Sequence, residues 1–254
     1  MIKRIRYYLY LSSLLFNKNK FFSKIKSQND DLESNFIQEF IKKIENKTFI
    51  EFGFHPFEFN TIHLMTSNFR GVLVDGNKKN AFFMKILKFF HNYKIKVFSL
   101  FLNKENIVQL IDSDFGIFSI DIDGNDYWLT KEVLESNKNF DLMIVEYNST
   151  FLDKSITTPY DKYFDRHIKH KSGWYHGASL KAFIKLFDQK NYALIKTTGG
   201  NNAFFINRDA LSKYNFIEVK FEDVFEESKL RNLWSKKNAQ QQFEVIKHLE
   251  YVTV

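Results

Sequence analysis

Two clusters of carboxylates, at the ends of two apolar runs, are the residues of this chain whose types and spacing bear most directly on chemistry. Residues 117–122 are mostly apolar and partly β-branched, and Asp121, Asp123, Gly124, Asn125 and Asp126 crowd the end of that run. Residues 142–145 repeat the pattern and lead into Glu146, Tyr147 and Asn148. Each run suits a strand buried on both faces, and residues 128–136 between them offer about three helical turns, so the stretch reads as a βαβ unit. Parallel neighbouring strands would bring both acidic tips to one carboxyl edge, where open α/β sheets bind ligands, and four carboxylates would share one crevice. The competing reading is plainer: Asp, Gly and Asn are also the residues that turn a chain after a buried strand.

The elements that must position these tips follow from periodicity. Residues 34–46 set Phe36, Ile37, Phe40, Ile41 and Ile44 at helical spacing. Residues 48–54 form an apolar strand running into Gly53, a loop with His55 and Pro56, and then a helix from about 57 to 67. A second strand at 71–75 ends in Asp75 and Gly76, before a helix at 78–92. A strand at 94–102 and a short helix at 105–111 precede the βαβ unit. The pattern then lapses over 149–176, a long insertion of the kind that is usually functional. A helix at 179–190 and strands at 192–197 and 202–207, joined by a tight Gly199-Gly200 turn, close the series, while residues 211–254 read as charged helix without a clear place. The expectation is a doubly wound α/β sheet, mostly parallel, of about seven strands with the last one antiparallel. An arm and amphipathic helix at 1–47, a domain at 48–210 and a helical extension at 211–254 complete the division.

Composition narrows the classes. In 254 residues, 44% hydrophobic and 18% aromatic with 30 Phe, there is enough apolar material for one large α/β domain. The absence of cysteine excludes disulfides, thiolate nucleophiles and Cys-ligated zinc and suits a reducing compartment, so the cytoplasm is expected. The net charge of +7 resides in residues 1–26, which carry seven Lys or Arg and no acid; the remaining 30 basic and 30 acidic residues cancel. A neutral body argues against nucleic acid as a partner. The apolar run at 7–16 is too short to span a bilayer. It suits either a helix packed on the domain or a basic, aromatic helix lying on anionic lipid at the inner face of a membrane.

The first two strand ends suggest a cofactor. A nucleoside in such a fold places its tail at the loop after strand one and its ribose diol on an acid after strand two, because a carboxylate accepts from both hydroxyls. Glu51, Gly53, Asp75 and Gly76 stand in those places. One glycine rather than three in the first loop argues against a bound pyrophosphate, and hence against NAD. Here, over roughly residues 48–207, the chain resembles the class I S-adenosylmethionine-dependent methyltransferases. Ser119-Ile120-Asp121-Ile122-Asp123-Gly124-Asn125-Asp126 is similar to the Lys-Ile-Asp-Val-Glu-Gly-Ala-Glu segment of FkbM-type enzymes, and Ile144-Val145-Glu146-Tyr147-Asn148 to the hydrophobic-Glu strand end that follows it. Ser119 replaces the family lysine, Asp123 replaces a Glu, and the glycine-rich loop is reduced to residues 51–56. The resemblance implies a Rossmann-like methyltransferase fold and S-adenosylmethionine as cofactor. It implies adenosine against Phe101 and Leu102, ribose on Asp75, and Asp121 holding the methionine amino group or the turn.

Methyl transfer from a sulfonium needs in-line approach and removal of the acceptor proton, for which Asp123 and Glu146 are candidates as base or ligand. Asp123-Gly124-Asn125-Asp126-Tyr127 resembles a divalent-ion segment of some sugar O-methyltransferases, and oxygen ligands from Asp123, Glu146 and Asn148 would suit magnesium. The insertion would cover this edge with Tyr160, His167, Trp174 and Tyr175, rings and cations that fit a sugar or nucleotide-linked sugar of surface-glycan biosynthesis; Asn148 joins them, and His176 is the lid's candidate base. An ordinary surface lid is the alternative. His55, His63, His91 and His248 read as packing or surface residues. Two rivals stay open: a cofactor-free binding module, and a haloacid-dehalogenase-type phosphatase using Asp121 and Asp123, whose motif the segment also resembles.

Overall fold

The computed structural model describes residues 13–14, 16–17, 19–20, 23–24 and 36–254. Seven strands form one sheet: β1 (Thr48–Phe52), β2 (Arg70–Asp75), β3 (Ile95–Ser99), β4 (Phe115–Ile120), β5 (Phe140–Glu146), β7 (Tyr192–Thr198) and β8 (Asn202–Asn207), in the order β3-β2-β1-β4-β5-β8-β7. The first five are parallel, and β8 runs antiparallel between β5 and β7. This is the doubly wound, Rossmann-like arrangement expected. The chain winds outward from β1 to β3, then returns to β4 on the other side of β1, so the direction of winding reverses between β1 and β4. A crevice at the carboxyl edge opens at such a reversal.

Alternate strand residues face opposite layers, which is why the strands read as unbroken apolar runs. Ile50, Phe52, Phe118, Ile120 and Val145 pack on one side with residues of helix α2 (Asp126–Glu135) and α3 (Leu180–Asp188). Phe49, Leu73, Ile117, Ile144 and Phe204 pack on the other with Phe36 and Phe40 of a helical turn at 36–40 and with α1 (Lys78–His91). Residues 1–12 and most of the remaining arm lie outside the described residues, so of the apolar run at 7–16 only residues 13, 14 and 16 are described.

Four elements depart from the expected pattern. The helix expected at 34–46 is helical at 36–40 and gives way to a turn at 41–43. The helix expected at 57–67 is a 3-10 helix at Ile62–Thr66, because Thr61 donates both its N–H and its hydroxyl to Glu51 and pins the chain to the sheet. The helix expected at 105–111 is a turn and a 3-10 segment, Val108–Leu110, with the Asn103 side chain accepting from Glu105 and Asn106 N–H. The strand expected at 94–102 stops at Ser99, where its pairing with β2 ends opposite Asp75; residues 100–102 then leave the sheet.

The insertion and the C-terminal extension pack together. Within 149–176 lie a 3-10 turn (Ser149–Phe151), the short strand β6 (Ile156–Thr157) and a helical turn at Arg166–Lys169. The extension holds α4 (Lys229–Ser235), α5 (Ala239–Ile246) and β9 (Val252–Thr253), which pairs antiparallel with β6. Phe151, Ile156, Phe164 and Tyr175 of the one share a core with Phe243 and Ile246 of the other.

β1 and β4 leave the sheet almost in contact. Gly53 adopts φ +84°, and a Cβ there would stand 1.7 Å from the Asp121 carbonyl oxygen. Gly53→Ala is therefore expected to cost well beyond the ~1–2 kcal/mol of left-handed strain alone in denaturant unfolding. A cost below that would mean the two loops separate freely.

Candidate functional site

The carboxyl edge carries a cleft of about 1000 Å³, and the strand ends supply its walls. At the end of β1, Glu51 lies fully buried opposite Ser119 of β4. Its carboxylate accepts from Thr61 N–H at 3.1 Å, Thr61 Oγ1 at 2.7 Å and Ser119 Oγ at 2.9 Å. Asn60 donates to the same Ser119 hydroxyl, and Asn202 of β8 donates to Asn60. Burial pushes the Glu51 carboxyl up to about 8 against these hydrogen bonds. Glu51, expected to bind cofactor, belongs to the cleft lining but is fully buried, and its hydrogen bonds hold the loop; serine at 119 completes this network.

At the end of β2, Asp75 accepts from Asn77 N–H at 2.7 Å and Phe54 N–H at 3.2 Å, bonds that aim both oxygens along the cleft wall. Burial raises its pKa, with those hydrogen bonds opposing. Gly76 follows, and a Cβ there would sit 3.3 Å from the Phe101 ring, so ring and acid flank one slot. Leu102, beside Phe101, is buried.

At the end of β4, four residues do four different things. Asp121 lines the cleft and anchors to β1 through its N–H on the Phe52 carbonyl at 2.8 Å. Asp123 adopts a left-handed backbone, φ 58°, and pairs with Arg166. Asn125 donates to the Asp161 carbonyl at 2.7 Å and ties the insertion to the turn. Asp126 is buried and accepts from Ile122 and Gly124 N–H, each at 2.8 Å, so here the plain turn reading holds. Burial, then the neighbouring Asp123, raises the Asp126 carboxyl to about 6.

At the end of β5, Glu146 is buried and its pKa is held well above the ordinary range, first by burial and then by Asp121, Asp123 and Asp126, with Arg231 opposing. His176 Nδ1 lies 3.8 Å from Glu146 Oε2. The ring is buried with neither nitrogen hydrogen-bonded, and burial, then Arg231, Arg166 and His167, keep it neutral.

Asn148 does not join this group. It donates to the Trp174 and His176 carbonyls at 2.7 and 2.9 Å and accepts from Thr150 N–H and Arg231 at 3.1 and 2.7 Å, so its carboxamide is spent positioning residues 174–176. The ion set expected from Asp123, Glu146 and Asn148 is corrected accordingly: among the described residues two sets of ligand atoms converge, each within 4.8 Å of one another, Asp123 with Glu146 and His176, and Asp121 with Asp126 and Glu146. A buried imidazole without a partner beside two carboxylates fits a divalent ion, and the nitrogen donor favours a first-row transition metal over magnesium.

Of the expected acceptor residues, His167 and Trp174 line the cleft. Tyr160 and Tyr175 do not: Tyr160 Oη accepts from Lys104 N–H, and the buried Tyr175 donates to the Glu250 carbonyl. His55, expected to be a packing or surface residue, stands at the cleft mouth. Arg166, Arg231 and Trp234 line it as well; Arg166 is expected from the sequence only as one of the insertion's cations, and the other two are not singled out by it. The signal available for Arg166 was its place in a basic insertion; Arg231 and Trp234 lie in a helix whose packing has no sequence period.

No family model matches the chain, and no curated protein does. Solved structures similar to it include the O-methyltransferase from Bacillus cereus in complex with SAH, at 15% identity and TM-score 0.46, covering 77% of this chain and 89% of that one. Cofactor-bound Rv0187 from MTB is similar at 13% identity and TM-score 0.46, covering 69% and 78%. The N-terminal domain of EvdMO1, in the presence of SAH and D-fucose, is similar at 10% identity and TM-score 0.45, covering 70% and 81%. At identities this low, the chemistry of the cleft must be argued from its own residues.

The buried Glu51 carboxyl makes stability depend on pH with a definite sign. Its pKa is about 8 in the folded chain against 4.5 ordinarily, so its contribution is full below about 4.5 and is lost as pH rises toward 8. Thermal unfolding of Glu51→Gln is expected to fall less steeply across that window than that of the parent chain. Parallel curves would mean that Glu51 ionises as freely folded as unfolded.

Proposed function

We propose that the chain is an S-adenosylmethionine-dependent methyltransferase, FkbM-like in its strand-end sequences, that methylates a hydroxyl of a sugar or nucleotide-linked small molecule in surface-glycan biosynthesis. The observation that carries this reading is one continuous cleft with two unlike ends. Asp75 and Phe101 flank a slot suited to a ribose and a base, and Asp121, Asp123 and Glu146 form an acidic rim within the same lining. Asp75 Oδ1 accepts from Asn77 N–H and from Asn80 Nδ2, while Oδ2 accepts from Phe54 N–H and is the oxygen left more open to a ribose hydroxyl.

When bound, the sulfonium cofactor supplies the electrophilic methyl group. The chain's own residues would then position the acceptor and take its proton. Glu146 faces the cleft, and burial among other acids makes its anion a stronger base than an ordinary carboxylate. His176, buried and 3.8 Å from it, stays neutral and leaves that proton on Glu146. Arg166 holds Asp123 at the rim, while Trp174 and Trp234 line the cleft with rings of the kind that stack on sugars. Asp123, Glu146 and His176 are the residues that would hold a divalent ion, which would supply Lewis-acid polarisation of the acceptor oxygen.

Calorimetry with S-adenosylhomocysteine tests the cofactor end. Binding is expected in the parent chain, with a loss of about tenfold or more in Asp75→Ala, since a lost bidentate contact of ~1.4 kcal/mol is tenfold. Glu146→Gln is expected to retain that affinity while losing turnover of the order of 10²-fold or more. No heat and no thermal shift at millimolar ligand would favour the cofactor-free binding module instead.

A further inference from the structure

We infer that the outer face of α1 is a docking surface for an anionic lipid bilayer. The helix buries Ala81, Met84 and Leu87 against the sheet. Lys78, Phe82, Lys85 and Phe89, at spacings of three and four, fall in one stripe on the opposite side. Phe82 is 65% exposed, Phe89 82% and Phe90 44%, with the last two rings edge to face at 5.6 Å. The described part of the arm adds to the same patch. Phe16, 75% exposed, meets Phe90 edge-on at 5.0 Å, and His91 Nε2 lies 3.2 Å from the Leu14 carbonyl. Side chains of this size forgo favourable burial while they face water.

Charge selects the occupant. Residues 76–104 contain seven lysines and no Asp or Glu, and Lys78, Lys79 and Lys85 are exposed around the rings, with Lys20 and Lys24 exposed on the arm. A second copy of the chain is a poor fit, because a two-fold contact would set these lysines against their own equivalents without an acid to pair them. Anionic headgroups satisfy both features at once: ammonium groups meet phosphates while the rings enter the headgroup and acyl boundary. Among the described residues no helix is long and apolar enough to cross a membrane, so the contact lies in the interfacial plane. This docking does not depend on methyl transfer.

The test uses the full chain and vesicles of phosphatidylcholine with or without about 30% phosphatidylglycerol. Sedimentation is expected with the anionic vesicles only and should weaken at ~0.5 M salt. Partition should fall at least tenfold in the double variant Phe82→Ser, Phe89→Ser and in Lys78→Gln, Lys85→Gln, with thermal unfolding unchanged because these side chains are exposed. The chain has no cysteine, so Phe89→Cys carries a single environment-sensitive dye. Its emission should shift to the blue only when anionic vesicles are added. Equal partition of the parent and double-Phe chains would overturn the inference. So would a dye already blue-shifted without vesicles, which would mean that another part of the chain or a second copy covers the face.

Discussion

Like charge at one edge of the sheet is the constraint on which the rest of the structure depends. Parallel pairing of β4 with β5 forces the acids after both strands into one small volume, where they repel one another. Each is relieved in its own way. Asp126 takes two backbone N–H groups, Asp123 takes Arg166, and Glu146 has Arg231 nearby and is burdened mainly by desolvation. Both arginines arrive on segments outside the parallel core: Arg166 on the insertion, Arg231 on the C-terminal extension. The pairing of β6 with β9 and the shared core around Phe151 and Phe243 are therefore part of the site's electrostatics as much as of its stability.

The same crowding explains why individual carboxylates at a strand end cannot be assigned roles by type. Asp121, Asp123 and Asp126 lie within six residues, yet one lines the cleft, one is salt-bridged in a left-handed backbone and one closes the turn. What separates them is the direction in which a tight loop turns each side chain, a property of backbone angles that residue identity does not carry.

Much of the sheet was legible because its signal is local. Buried strands such as Phe115–Ile120 and Phe140–Glu146 announce themselves by apolar runs, and helices such as Lys78–His91 by spacing, so the two strand ends that carry the acids could be located in the sequence. The Ile62–Thr66 region was not, because a single distant carboxylate, Glu51, overrides helical propensity there. β6 and β9 are two residues each and leave no period to detect. Asn148, Tyr160 and Tyr175 looked like ligand groups because their types suit ligands, but their hydrogen bonds are spent on carbonyl or N–H groups dozens of residues away. Arg231 was hidden for the same reason in reverse, its partners Asn148 and Thr150 lying 83 and 81 residues earlier.

At the Asp75 end of the cleft the geometry is simpler, since Asp75 and Phe101 both follow from where β2 and β3 stop pairing. A crystal structure of the full chain soaked with S-adenosylhomocysteine is the most direct measurement of whether this slot and the acidic rim belong to one site. The ribose is expected on Asp75, the base against Phe101, and the sulfur turned toward Asp121 and Glu146. A nucleoside bound outside the cleft, or seated in it with its sulfur pointing away from that rim, would contradict the reading.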